Sequence, residues 1–252
     1  MTEIVHTASA NVRIIDPAFY IPQLHRTRRI WLFLPEGYVK SKKKYPVLYM
    51  HDGQNLFDAA TSFSGEWEID KTLNTFPDPC IVVGIDNGGA LRMNEYNPFD
   101  THQFGKGEGR AYLEFIVKTL KPFIDKNYRT LRRTEDTYIA GSSMGGLISF
   151  YAGIFYPKLF GRIGIFSPSF WAAPDIEAIL KSLKPKKLSD QHYYFYGGGA
   201  ENATMISDIL KVMDLIQKYA RPEIEVVIKP GGYHSEDCWR QEFPAFYQWL
   251  SR

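Results

Sequence analysis

Apolar and polar positions alternate in short blocks along the chain. Strand-length runs rich in β-branched and aromatic residues occur at Val12–Phe19, Ile30–Phe33, Val47–Met50 and Cys80–Ile85. Four more follow at Thr137–Ala140, Ile163–Phe166, Tyr193–Tyr196 and Ile224–Ile228. Such runs, bounded by Gly, Pro, Asn and Asp, predict eight β-strands. Apolar residues at steps of three and four predict helices over Glu66–Leu73, Gly109–Lys126, Gly145–Phe155, Pro174–Leu183, Ala203–Tyr219 and Asp237–Leu250. Pro122 is expected to kink the second of these, because it lacks an N–H and crowds the preceding turn.

No helix separates the first two strands, so residues 1–40 read as an antiparallel entry pair. From Val47 onward strands and helices alternate. Short apolar strands between helices imply a mostly parallel eight-stranded sheet covered on both faces. The fold class is therefore α/β, with 1–252 expected to form one domain. Ligands of such sheets bind beyond the carboxyl ends of the strands.

Composition narrows the function. The 252 residues carry Lys+Arg 30 against Asp+Glu 28, a net charge of +2, and give no electrostatic case for nucleic acid or an anionic membrane. No segment approaches the ~20 apolar residues of a membrane span. The start of the chain lacks a signal-peptide layout, so a cytoplasmic location is expected. Cys80 and Cys238 form neither a disulfide framework nor a zinc spacing. No metal or other cofactor is called for, and a homo-oligomer stays open.

The most specific local pattern is Gly141-Ser142-Ser143-Met144-Gly145, a G-x-S-x-G between an expected strand and an expected helix. The chain must reverse sharply there, which leaves room only for glycine two residues before and after the serine. The same turn lifts the Ser143 hydroxyl above the sheet edge. A serine hydroxyl needs a base, normally a histidine held by a carboxylate. In the chain order Ser, Asp/Glu, His, His234 is the histidine that follows a late strand. Glu201 is the first carboxylate past the seventh strand, after Gly197-Gly198-Gly199; Asp208, or no third member, is the alternative. The N–H of Met144 and, from the loop after the third strand, that of Gln54 are the expected oxyanion donors. In that loop His51 and Asp52 read as structural, while Gln54 and Asn55 read as facing substrate. Trp67, Phe170, Trp171 and Tyr233 fall near strand ends and are candidate pocket walls. Asn87, Arg92 and Tyr96, after the fourth strand, either contact substrate or brace their loop. With no strong cationic cluster expected, neutral esters with small acyl groups are the anticipated substrates, and Trp171 the residue that limits acyl length.

The combination PVLYMHDGQNLFD, GIDNGG with a following R and EYNPF, AGSSMGGLISFYAG, YPKLFGRIGIFSPSFW and GGYH resembles the Putative esterase family. That group spans esterase D-type enzymes, enterochelin-esterase-like hydrolases and feruloyl or acetyl-xylan esterases. The likeness runs from about Val12 to Trp249. It implies an α/β-hydrolase fold, serine carboxylesterase activity, Ser143 as nucleophile, His234 as base, Glu201 as acid, and Gln54 and Met144 as oxyanion donors. Many relatives carry Asp as the acid. The ester does not transfer with the resemblance, so a siderophore, feruloyl or acetyl-sugar ester is open. An acyltransferase using the same site is the alternative activity, since mycolyl transferases share the fold. A non-catalytic scaffold would predict a broken triad, and all three residues are present.

Overall fold

A computed structural model describes residues 5–173, 176–182 and 190–252. Eight strands form one sheet in the order β1-β2-β4-β3-β5-β6-β7-β8. They are β1 Val12–Ile21, β2 Arg26–Phe33, β3 Val47–His51, β4 Ile81–Ile85, β5 Thr137–Ser142, β6 Arg162–Phe166, β7 His192–Gly198 and β8 Glu223–Lys229. β1 pairs antiparallel with β2, and β2 with β4. Every other neighbour pair is parallel. This is the α/β architecture with an antiparallel entry pair that the residue pattern predicts.

Alternate residues of the central strands feed two separate cores. Tyr49, Val83, Ile139, Ile163, Ile165 and Phe195 face one. That side is covered by α3 Gly109–Phe115, α4 Lys121–Asn127, α5 Met144–Phe155, α6 Ile176–Ser182 and α7 Met205–Tyr219. Leu48, Met50, Val82, Ala140, Phe166 and Tyr194 face the other, covered by α1 Ile69–Leu73 and α8 Glu236–Leu250. A short α2, Arg92–Glu95, lies beyond β4. The apolar side chains are thus buried on both faces, the main source of stability for a parallel sheet.

Two differences from the expected elements have local causes. The expected kink at Pro122 is a π-helical turn, Ile116–Leu120, immediately before the proline, which sits in the first turn of α4. The wider turn takes up the missing donor and the ring bulk. The first expected helix shrinks to Ile69–Leu73, because Glu68 before it takes a left-handed φ of +51° and Trp67 N–H is tied to Asn55 O. Pro174 and Leu183, the ends of another expected helix, lie outside the described residues.

The fit of α8 to the sheet depends on Gly164 in β6. A Cβ there would meet Phe246 Cζ at 2.5 Å and the Ala140 side chain at 2.8 Å. Gly164→Ala is expected to cost about 1–3 kcal/mol through overpacking, lowering the melting temperature by roughly 2–12 °C in a chain of this size. Calorimetry checks this.

Candidate active site

At the end of β5 the chain turns into α5 through Ser143, whose φ of +58° and ψ of −123° lie outside the ordinary regions for a side-chain-bearing residue. The glycines of the motif make this turn possible. A Cβ at Gly141 would meet Gly145 C at 2.9 Å, and one at Gly146 would meet Phe166 O at 2.8 Å. Ser143 is pinned on both sides of its peptide unit: its N–H donates to Phe166 O at 2.9 Å, and its carbonyl accepts from Ser169 N–H at 3.1 Å. The Ser143 hydroxyl lies 3.3 Å from that of Ser169.

His234 follows β8, and its Nδ1 stands 2.6 Å from Glu201 Oε2. The Glu201 side chain is fully buried and that of His234 is 38% exposed, so the ring is held from behind while its other edge is open. Glu201 Oε1 accepts from Gly198 N–H and from the Ser167 hydroxyl, each at 2.6 Å. Ser167 in turn accepts from Trp239 Nε1–H at 2.9 Å. The Trp239 ring stands edge-on to the imidazole, with centroids 5.0 Å apart at 84°. Asp208, the other candidate acid, is at the start of α7 beside a separate groove with Phe170 and Lys211, away from His234.

Ser143 and His234 line the same cavity, of about 850 Å³, together with Arg29, Gln54, Asn55, Asp86, Asn87, Arg92, Glu236 and Trp239. Its floor is a buried charged cluster. Asp52 accepts from Arg92 Nε at 2.7 Å and Nη2 at 2.9 Å, and from Asn87 Nδ2 at 2.7 Å. Burial alone would raise the Asp52 carboxyl, but Arg92 and these hydrogen bonds outweigh it and hold the group below its usual value. His51, at the end of β3, is buried with Nδ1 2.9 Å from the Tyr112 hydroxyl; burial pushes its pKa down to about 3 and keeps it neutral. Glu236 shares a hydrogen bond with Asn55 Nδ2 at 3.2 Å, and burial pushes its carboxyl up. Asp86 accepts from Arg29 Nε at 2.7 Å and Trp31 Nε1 at 2.8 Å; burial still raises it.

The cavity wall at Thr61–Ser64 is held from outside by the N-terminal segment. His6 Nδ1 lies 2.6 Å from Asp58 Oδ2. Thr7 N–H donates to Asp58 Oδ1 at 3.1 Å, the Thr7 hydroxyl donates to Glu66 at 2.7 Å, and Ser9 N–H donates to Asp70 at 2.7 Å.

The structure divides the candidate substrate residues. Asn55, Asn87 and Arg92 line the cavity. Asn87 and Arg92 are engaged with Asp52, so they brace the floor as well as face the space above it. Trp67, Tyr96, Phe170 and Trp171 do not line it. Trp67 is sealed among Phe166, Trp239 and Phe243 under α8. Tyr96 is fully buried beneath the Asp52 loop, with its hydroxyl 3.2 Å from Asp52 N. Phe170 packs on Phe150 and Phe195 in the core. Trp171 is 56% exposed and leans toward Phe104. Tyr233 is also exposed and outside the wall. Trp67, Tyr96 and Phe170 close the packing around the strand ends instead of facing the cavity, while Trp171 and Tyr233 face outward. The aromatic lining comes from Phe63, 91% exposed at the rim, and Trp239. Arg29, which the sequence pattern did not single out, reaches the cavity as Arg92 does, each beside a carboxylate. Arg29 was legible only through its strand, since β2 pairs with β4 and Asp86 N–H bonds Arg29 O at 3.2 Å.

Residues 21–250 match the Esterase family, described as "Putative esterase". The chain belongs to this family and is an esterase. It is 27% identical over 237 residues to the protein YbbA of Bacillus subtilis (strain 168), covering 88% of this chain and 92% of that one. It is 39% identical over 228 residues to the iron(III) enterobactin esterase of Escherichia coli (strain K12), covering 86% of this chain and 52% of that enzyme. Its fold matches that of an IroE-like serine hydrolase from Shewanella oneidensis with a TM-score of 0.72 at 22% identity, over 91% of this chain and 78% of that one.

Two outcomes follow from the site. Arg92→Ala leaves Asp52 buried without its counter-charge and is expected to cost about 3 kcal/mol at neutral pH. In the parent, the depressed carboxyl adds stability above the unfolded-state value, near 4, and that stability is lost as pH falls through the folded value. In the variant the Asp52 carboxyl rises, so the penalty is largest at neutral pH and shrinks as acid neutralises it. Urea melts at pH 7 and 4.5 compare the two. Phe63→Ala is expected to raise KM severalfold, by removing apolar contact area at the rim, while Trp171→Ala leaves KM and acyl-length preference unchanged. Steady-state kinetics on an acyl series tests both.

Proposed function

We propose that the protein hydrolyses carboxylic esters through an acyl-enzyme on Ser143, with His234 as general base and acid and Glu201 as its orienting carboxylate. The observation that carries this is the 2.6 Å contact of His234 Nδ1 with the buried Glu201 carboxylate, in a cavity shared with Ser143 on its strained turn. With Nδ1 occupied by the carboxylate, Nε2 is the nitrogen left to take the Ser143 proton. The Ser143 oxygen adds to the ester carbonyl, and the oxyanion that develops is met by backbone N–H groups. Met144 begins α5, where the helix N-terminus favours negative charge. Gln54 lies in the turn after β3, with its carbonyl taken by the Thr61 hydroxyl at 2.7 Å. Among the described residues neither N–H is spent on a backbone carbonyl. The protonated imidazole then gives its proton to the departing alcohol, and water attacks the acyl-enzyme by the same route in reverse.

The cavity favours an alcohol portion rich in hydrogen-bonding groups. Its lining mixes guanidinium, carboxylate, amide and hydroxyl groups with the Phe63 and Trp239 rings, and the relatives include an iron(III) enterobactin esterase and an endo-1,4-beta-xylanase/feruloyl esterase. A rate comparison across catecholate, feruloyl, acetyl-sugar and simple alkyl esters, with added alcohols as competing acceptors, ranks the substrates and separates hydrolysis from acyl transfer.

Ser143→Ala is expected to lower kcat by roughly 10⁴–10⁶ with the fold intact, and a fluorophosphonate is expected to label Ser143. Near-parental turnover in that variant, or labelling of Ser142, would reject the nucleophile. Glu201→Gln should keep the fold and lower kcat; a silent Glu201→Gln beside a crippled Asp208→Asn would reject the acid.

A further inference from the structure

Behind Glu201 lies a polar chain that the esterase mechanism above does not use. Ser167 follows β6, is fully buried, and holds a φ of +44°. Its N–H is bonded to Tyr196 O at 2.8 Å, which fixes the backbone of the turn. Its hydroxyl has two neighbours, Trp239 Nε1 at 2.9 Å and Glu201 Oε1 at 2.6 Å. An indole nitrogen only donates, so the Ser167 oxygen accepts from Trp239. The single hydroxyl proton is then directed at Glu201, where an ionised carboxylate only accepts. Gly198 N–H also donates to Oε1 at 2.6 Å. With two donors on Oε1, the carboxylate cannot rotate without breaking both, and Oε2 is left aimed at His234 Nδ1.

We propose that Ser167, oriented by Trp239, is a positioning residue for the reaction: it fixes the Glu201 carboxylate with Oε2 on His234 Nδ1, so that Glu201 steadies the protonated imidazole. This rests on the proposed roles of Ser143, His234 and Glu201. Removing the hydroxyl from Oε1 returns electron density to the carboxylate and strengthens its hold on protonated His234. The acid limb of kcat/KM then moves to higher pH, and kcat falls because the carboxylate, kept at Oε1 by Gly198 N–H alone, can turn and carry the ring out of line. The other titratable groups near the pair are Tyr196 on β7, with Cys238 and Glu236 on α8; Arg92 and Asp52 act on Glu236 from the cavity floor. Glu201 takes its hydrogen bonds from Ser167, Gly198 and His234.

The test uses Ser167→Ala, Ser167→Gly and Trp239→Phe with 4-nitrophenyl acetate across pH. The alanine variant keeps the left-handed strain, whereas glycine adopts positive φ freely, so the two differ in backbone cost and share the lost hydroxyl. Both are expected to lose about tenfold in kcat, as for a charge-assisted hydrogen bond, with KM within twofold and the acid limb displaced to higher pH. Trp239→Phe, which keeps a ring edge toward His234 but no N–H, is expected to lose less, with the limb displaced the same way. Parental kcat with an unmoved limb in Ser167→Gly would overturn the proposal, as would a loss confined to Ser167→Ala that tracks its melting temperature. Ser143→Ala is run alongside. If it is inactive and Ser167→Gly behaves as the parent, only the positioning role fails. If it retains turnover, the nucleophile fails and the positioning role falls with it.

Discussion

The site depends on one backbone turn, in which Ser143 is held at a φ no alanine-like residue adopts freely. A conformation of this kind costs on the order of 1–3 kcal/mol and persists only where its surroundings enforce it. Here the enforcement is the centre of the sheet. β5 is hydrogen-bonded on both sides by β3 and β6, α5 leaves it directly, and the Ser143 amide is tied to the end of β6. The glycines at 141, 145 and 146 admit the close approach, and the parallel pairing gives it no other place to go. The other site residues are arrayed on neighbouring strand ends at distances set by that sheet, which is why residues far apart in sequence share one cavity.

Two buried carboxylates stand on either side of this turn and are satisfied in opposite ways. Asp52 is neutralised by a guanidinium held in a two-point geometry, with the Asn87 amide also donating to Oδ1. Among the described residues Glu201 has no arginine or lysine partner; it is held by two neutral donors and the His234 imidazole. The first arrangement suits a floor that must not change during turnover. The second suits the mechanism proposed above, in which positive charge develops on the histidine during the reaction.

Much of this was legible along the chain because it is local. Strand runs, the helical stripe ending in Trp239, Phe243, Phe246 and Trp249, and the glycine spacing around Ser143 each depend on neighbours within a few residues. Glu201 could be picked from Asp208 because a carboxylate just past a strand end differs from one inside a helix. The aromatic residues misled for a physical reason: in a chain with 15% Phe, Trp and Tyr, rings at strand ends are also what seals helices onto the sheet, and periodicity does not distinguish the two uses. Arg29 and Ser167 carried no local signal. Their roles come from strand order and from partners 57 and 34 residues away.

The latch between residues 6–9 and the segment from Asp58 to Asp70 has a consequence for how the enzyme tolerates change. The cavity wall containing Phe63 belongs to no helix or strand, so its shape is borrowed from the segments it is tied to, one of them a peptide anchored by Asp58, Glu66, Asp70 and Lys71. Its rigidity therefore comes from two sides: residues 6–9 outside, and the turn after β3 inside, where Thr61 Oγ1 donates to Gln54 O at 2.7 Å and Phe63 N–H to Asn55 Oδ1 at 3.0 Å. Changes at residues 6–9 act on the mouth through Asp58, Glu66 and Asp70, and among the described residues these have no bond to the strained serine, Asp52 or Glu201. Selectivity and stability can drift independently in such a design, because the residues that shape the entrance are not the ones that hold the fold.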